Sequence, residues 1–211
     1  RSTPLYSSAA SDVYKRQDLV DAFDVPSVVE KKVDIAQEIS VIVARSPSGE
    51  VRTFPTVEMV VSDLSNMLDF LLSPARLSPS IERQCVEIAE SLATALDLIG
   101  LLAVELFVSQ DGQVLINEIA PRPHNSGHHS IEANITSQFE QHVRAVCDMP
   151  LGDTALKSPA VMVNLVGAEG YQGPVRYEGF NRILTMRNVY IHISVSYTHL
   201  RAHETREDLV C

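Results

Sequence analysis

The stretch VELFVSQDGQVLINEIA holds Asp111-Gly112 between two alternating apolar runs, the strongest short-range signal for a β-hairpin. A two-residue turn centred there pairs Gln110 with Gln113, Val108 with Leu115, Leu106 with Asn117 and Glu105 with Glu118. Directly opposed residues have Cβ atoms about 5 Å apart, and like charges at that distance repel. Two facing carboxylates persist if one is protonated or if a cation lies between them. Mg²⁺ suits such a pair, since it takes one or two carboxylates and completes its shell with water and substrate phosphates. Two solvated glutamates on an outer face explain the pattern equally well.

Composition narrows the function classes. The chain has 211 residues, enough for one domain and a smaller second one, and its formal net charge is -10. That acidity argues against a nucleic-acid partner, which would call for basic patches. Cys85, Cys147 and Cys211 show no CxxC spacing, which predicts a reduced, cytoplasmic setting. No apolar run is long enough to span a bilayer and no signal peptide is visible, so no membrane partner is expected. Residues 1–17 and 194–211 break the apolar patterning and resemble translated adapter sequence, in DVYKRQ and SYTHLRAHET. Both are read as non-native termini and set aside from functional reasoning.

Between them, PSVVEKKVD reads as a short strand and its exit, EISVIVARS as a strand, and VRTFPTVEM as its hairpin partner after the SPSGE turn. Residues 62–80 read as loop, with Pro74 and Pro79 as breakers. Ile81, Cys85, Ile88, Leu92, Leu96 and Ile99 recur at helical spacing, with Ser78 or Ser80 as cap and Gly100 at C′. A second helix is expected from Ile131 to Cys147, with Ile131, Ile135, Phe139, Val143 and Val146 inward. The remainder to residue 193 reads as strand, glycine-rich turn, short helix or loop, and strand. There is no internal repeat.

Arg122, four residues past Glu118, offers a fork for phosphate or carboxylate, or a salt bridge to one of the glutamates. His124, Asn125, Ser126, Gly127, His128 and His129 crowd one loop. Zinc is a competing reading for it, but adjacent His128 and His129 point apart on most backbones and no cysteine is near; a plain turn is the third. Glu30, beside Lys31 and Lys32, reads as a solvated charge cluster, and Glu38 as a surface residue or a hydroxyl acceptor. There is no GxxxxGK, no GxSxG and no cysteine with a histidine at a useful spacing.

NEIAPRPHNSGHHSIEANITSQFEQHVRAV resembles the signature of the 5-(carboxyamino)imidazole ribonucleotide synthetases, ATP-grasp ligases; VVEKKVDIAQEISVIVARSPSGEVRTFPTVEM and VMVNLVGAEGYQGPVRYEG resemble flanking parts of the same enzymes. The resemblance covers roughly residues 18 to 193 and implies an α+β fold. Residues 18–150 would be the large ATP-grasp subdomain, an antiparallel sheet with helices, and 151–193 part of a small β-rich C-terminal domain. It implies ATP and Mg²⁺ as cofactors, with bicarbonate and 5-aminoimidazole ribonucleotide as substrates. The product would be the 5-carboxyamino nucleotide of purine biosynthesis, and the full-length family would be homodimeric. Glu105 and Glu118 match the metal ligands. Glu30, Lys31, Lys32, Val33, Glu38, Asn117 and Glu118 match the ATP site. Arg122 and His124 match catalytic positions, and Arg122, Asn125, Ser126 and His128 substrate-binding ones. The family's N-terminal domain, its phosphate-gripping lysines and glycine-rich loop, and its basic C-terminal segment have no match here. The expectation is a fragment without synthetase activity of its own. The alternatives are another ATP-grasp enzyme, such as a formate-dependent glycinamide ribonucleotide transformylase, or a non-catalytic metal-binding module. The former typically has Asp-Thr-Gly where this chain has Asn125-Ser126-Gly127.

Overall fold

The computed structural model describes residues 31–61, 68–164, 178–195 and the backbone of 207–210. Glu30 and residues 1–17 lie outside them. The central sheet contains β1 (Ile35–Arg45), β2 (Val51–Thr53), β3 (Val57–Val61), β4 (Leu68–Ser73), β5 (Gly100–Ser109), β6 (Val114–Ala120) and β7 (Ala160–Val163). Its order is β6-β5-β1-β3-β4-β7, with β2 on the far end of β1, and every pairing is antiparallel. A separate pair joins β8 (His192–Val195) to β9 (Glu207–Val210), so residues set aside as a terminus take part in strand pairing.

β1 is the axis of the sheet. Its odd positions Ile39, Val41 and Val43 pack with Leu102, Val104 and Leu106 of β5 against Cys85, Ala89 and Ala93 of α1 (Pro79–Ala95). Its even positions Ile42 and Ala44 pack with Leu101 and Ala103 against Ala145 of α3 (Gln138–Val146) and Leu151. Both faces are covered, so Ile39 through Ala44 are all buried and the strand reads as a nearly continuous apolar run. Towards the start of β1 the even face carries Glu38 and Ser40, and there the site lies.

α1 begins as expected, with Ser78 accepting from the Ile81 N–H. It ends earlier than the apolar spacing suggests. Asp97, at φ 46, closes the helix: the Leu98 N–H donates to Ala93 O at 3.0 Å and the Asp97 N–H to Thr94 O at 3.1 Å. This is a Schellman motif with Asp97, not Gly100, at C′. Gly100 opens β5 instead, and Leu96 and Ile99 are exposed. The expected loop over 62–80 contains β4, whose Leu71 is fully buried. Burial along it alternates, with Leu71 and Ser73 buried and Phe70 and Leu72 half-buried, but the apolar run Phe70-Leu71-Leu72 carries no period-two signal in the sequence.

The second helix is two pieces, α2 (Ser130–Ala133) and α3, separated at Asn134–Ser137, where Ser137 caps α3 through the Glu140 N–H. Its expected inward residues Ile135, Phe139, Val143 and Val146 are 41 to 56% exposed, whereas Gln138, Gln141 and Ala145 are buried. Gln141 accepts from the Gly152 N–H at 2.8 Å and donates to Gly152 O at 3.1 Å. It thereby holds down the chain that leads to β7. A four-residue helix, α4 (Phe180–Ile183), precedes β8. Among the described residues no helix is long and apolar enough to cross a membrane.

Candidate functional site

Ser40, Glu105 and Glu118 form one row across three neighbouring strands: Ser40 opposes Glu105 and Glu105 opposes Glu118. The facing glutamates were expected, but the register that delivers them differs. The turn has three residues. The Ser109 N–H donates to Gln113 O and the Gly112 N–H to Ser109 O, each at 2.9 Å, with Gly112 at φ 79. A type I turn followed by a left-handed glycine shifts the tip by one residue. Val108 therefore faces Val114 and Leu106 faces Ile116, not Leu115 and Asn117. A bulge at Asn117 restores the register. Bulges re-aim side chains, and the Asn117 side chain hydrogen-bonds Glu105.

Glu105 is the electrostatic centre. Burial, then the charges of Glu118 and Glu38, push its carboxyl up to about 7, against the Asn117 hydrogen bond and the Arg122 guanidinium. Glu38, two residues before Ser40 on the same face of β1, is itself raised by burial. At Glu105 burial and the neighbouring carboxylates thus outweigh the Arg122 guanidinium, and two facing hard oxygen donors fit a small divalent cation that keeps water or phosphate in its shell.

The histidine loop closes over this row. His124 Nε2 lies 3.4 Å from Glu105 Oε1. Burial, then Arg122 and His128, push His124 down to about 4, so the contact is between a neutral ring and the carboxyl. The Ser126 N–H donates to His124 Nδ1 at 3.3 Å, which leaves the ring proton on Nε2, facing Glu105. Behind it, Ser126 Oγ lies 2.9 Å from Nδ1 and 2.7 Å from Ser40 Oγ.

The loop is held from below. Gln138, completely buried, accepts from the His124 N–H at 2.9 Å and donates to His124 O at 2.8 Å. Ser130 Oγ donates to Gly127 O at 2.5 Å and accepts from the Gln138 N–H at 2.9 Å. Gly127 fits because it has no side chain: a Cβ there would meet Ile42 Cδ1 at 2.3 Å and Gln138 Oε1 at 2.6 Å.

The remaining sequence-derived candidates fall in different places. Arg122 is exposed, donates to Pro123 O at 3.2 Å, and acts by charge on both Glu105 and His124. Asn125 is half-buried at the turn over which His128 N–H bonds to Asn125 O. Ser126, expected to touch substrate, is 1% exposed with its hydroxyl engaged by Ser40 and His124. It supports the site from within. His128 stacks on Phe139 with ring centroids 5.6 Å apart. His129 turns away and is buried beside Ser40, Phe54 and Val57, where desolvation pushes it down to about 4. Among the described residues no three His, Cys, Asp or Glu side chains are grouped to hold a metal, which removes the support for a zinc-binding histidine loop. Lys31 and Lys32 are exposed and Val33 half-buried in the coil entering β1, a segment pinned by the Gln110 N–H to Asp34 O at 3.0 Å.

Sequence reasoning missed Ser40 and Gln138. Ser40 left a trace, a hydroxyl inside the apolar run EISVIVA. Gln138 left none, since a glutamine just after a helix cap is usually solvated.

The ATP-grasp domain family matches residues 7–139. The N5-carboxyaminoimidazole ribonucleotide synthase of Bacillus subtilis is 49% identical over 142 residues, 67% of this chain and 37% of that protein. The chloroplastic phosphoribosylaminoimidazole carboxylase of Vigna aconitifolia is 37% identical over 83% of this chain and 31% of its own length. The crystal structure of N5-carboxyaminoimidazole ribonucleotide synthetase from Thermotoga maritima superposes with a TM-score of 0.76 at 37% identity, over 94% of this chain and 52% of that one. The enzyme from Aspergillus clavatus, in complex with ADP and 5-aminoimidazole ribonucleotide, superposes with a TM-score of 0.73 at 28% identity, over 94% of this chain and 53% of that one. The chain thus spans about a third of the length of the curated relatives it matches, and with an antiparallel sheet flanked by helices it belongs to the ATP-grasp family.

Proposed function

We propose that the chain supplies the metal-binding side of an N5-carboxyaminoimidazole ribonucleotide synthetase, which uses ATP and bicarbonate to carboxylate the exocyclic amine of 5-aminoimidazole ribonucleotide. The observation that carries this is the opposition of Glu105 and Glu118, with Asn117 bulged beside them and Arg122 and His124 at the rim. Glu105 and Glu118 would hold Mg²⁺, whose contribution when bound is to neutralise charge on the ATP phosphates. Glu38, Asn117 and the 30–33 segment would contact the nucleotide. Arg122 would bind an anion by its guanidinium fork, and His124 would donate its Nε2 proton in a hydrogen bond. Asn125 and His128 complete the substrate side. A cytoplasmic location and a homodimeric whole enzyme belong to the same proposal.

Binding to the 211-residue chain tests it. Calorimetry should show Mg²⁺-dependent ADP binding that Glu118→Ala abolishes, and binding of 5-aminoimidazole ribonucleotide but not of glycinamide ribonucleotide. The reverse nucleotide preference would support the formate-dependent transformylase instead. Retention of stoichiometric zinc, with no nucleotide binding, would overturn both.

A further inference from the structure

We propose that Gln138 is a positioning residue of this site and that its side-chain amide decides which nitrogen of His128 carries the ring proton. The argument starts from an oddity of packing. Gln138 sits in the first turn of α3 and is 0% exposed, while its apolar neighbour Phe139 is 41% exposed. A buried amide must find partners for all its polar atoms. Gln138 finds them in the histidine loop.

The orientation of the amide is fixed by two backbone groups. The His124 N–H lies 2.9 Å from Oε1 and the His124 carbonyl oxygen 2.8 Å from Nε2. Exchanging O and N would set donor against donor and acceptor against acceptor. Nε2 therefore faces outward from this ring with one hydrogen left, and 2.8 Å away stands His128 Nδ1. An amide nitrogen has no lone pair to offer, so Nδ1 must accept. The ring proton of a neutral His128 then resides on Nε2. Stacking on Phe139, with planes inclined by 23°, fixes the plane of the same ring. His124 reaches the same tautomer through the Ser126 N–H.

Both imidazoles of the loop thus carry the proton on Nε2. That of His124 faces Glu105, so of the two it is His128 whose Nε2–H would serve an anion. Neither ring is suited to a metal, which needs the lone pair that the Nε2 proton occupies. Gln138 touches neither nucleotide nor metal in this assignment. It acts through His124, whose backbone it clamps, and His128, whose tautomer it sets. The assignment of that anion to the substrate side rests on the function proposed above; the tautomer does not.

Nitrogen-15 long-range correlation spectra of the wild-type chain provide the first test. His128 should show an unprotonated Nδ1 and a protonated Nε2; a protonated Nδ1 overturns the proposal without any variant. Gln138→Glu provides the second. A carboxylate still accepts from the His124 N–H but can only accept from His128, so the His128 proton should move to Nδ1. An unchanged tautomer in folded Gln138→Glu overturns the assignment, and a general loss of packing would not produce a clean inversion. The functional consequence is a fall of about tenfold or more in affinity for 5-aminoimidazole ribonucleotide in this variant, the scale of one hydrogen bond to a charged group. Unchanged affinity overturns the positioning role. If the wild-type chain binds no 5-aminoimidazole ribonucleotide while the His128 spectrum is as stated, the proposed function fails and the tautomer assignment stands.

Discussion

Glu105 on β5 lies directly opposite Glu118 on β6, and His124 Nε2 reaches Glu105 Oε1 at 3.4 Å. Burial, then the charges of Glu118 and Glu38, makes Glu105 a pH-responsive group of the fold. Its carboxyl is raised from 4.5 to about 7, so the folded state holds a proton that the unfolded state has released. The associated stability is present below pH 4.5 and is lost as pH rises through about 7. At 1.36 kcal/mol per pKa unit, the amount is on the order of 3 kcal/mol. In the absence of divalent cations, Glu105→Gln cannot ionise and keeps that stability. It should exceed the wild type in urea melts at pH 8 by about 2–3 kcal/mol and match it at pH 4. Parallel stability profiles for the two proteins would refute the burial and repulsion assigned to Glu105.

A divalent cation competes with the same proton. On the function proposed above, Mg²⁺ would bind the ionised carboxylate, so its affinity should rise between pH 6 and pH 8. Millimolar Mg²⁺ is expected to raise Tm more at pH 8 than at pH 6, because only bound ligand shifts the folding equilibrium. Glu118→Ala should erase the shift at both values. A shift of equal size at both pH values would place the ion away from Glu105.

How much of this was legible beforehand differs by element. Asp111-Gly112 announced the hairpin, and the facing glutamates emerged correctly through two one-residue errors that cancel. The glycine extends the turn, Asn117 bulges, and neither is visible in an apolar pattern. β4 was read as loop because Phe70, Leu71 and Leu72 follow one another without alternation, and Pro74 lies at its end. The helix expected from Ile131 failed in direction. Periodicity reports that one stripe is apolar, not that the stripe faces this chain's own sheet. Here Gln138 and Gln141 satisfy loop backbones inward, and the apolar stripe is left outward. The burial of Ser126 was hidden for a related reason, since sequence position in a polar loop does not say which side chains turn under it.

That inversion of α3 has a measurable consequence. Val143 is 55% exposed, so Val143→Lys should change stability by no more than about 0.5 kcal/mol, as surface replacements usually do. Gln141→Leu, hydrophobic and of similar size, leaves the Gly152 N–H and C=O without partners and should cost about 1–3 kcal/mol. Chemical denaturation of the two variants decides. If Val143→Lys is the more damaging, the helix packs by its apolar stripe after all.

Gly127 offers the sharpest test of the loop's seating. A Cβ there would stand 2.3 Å from Ile42 Cδ1 and 2.6 Å from Gln138 Oε1. Overpacking of this kind costs about 1–3 kcal/mol, so Gly127→Ala should lower stability by that amount and displace His124 along with the clamp. Ile42→Val removes the Cδ1 methyl and alone costs about 0.5–1.5 kcal/mol. The two changes share one contact and should not add. In the double variant the freed methyl volume accepts the new Cβ, and the combined loss should fall short of the sum by about 0.5 kcal/mol or more. A thermodynamic cycle measured by denaturant melts reads that coupling directly. Strict additivity would mean that the loop does not rest on Ile42, and that the strain of Gly127→Ala is carried by the Gln138 clamp alone.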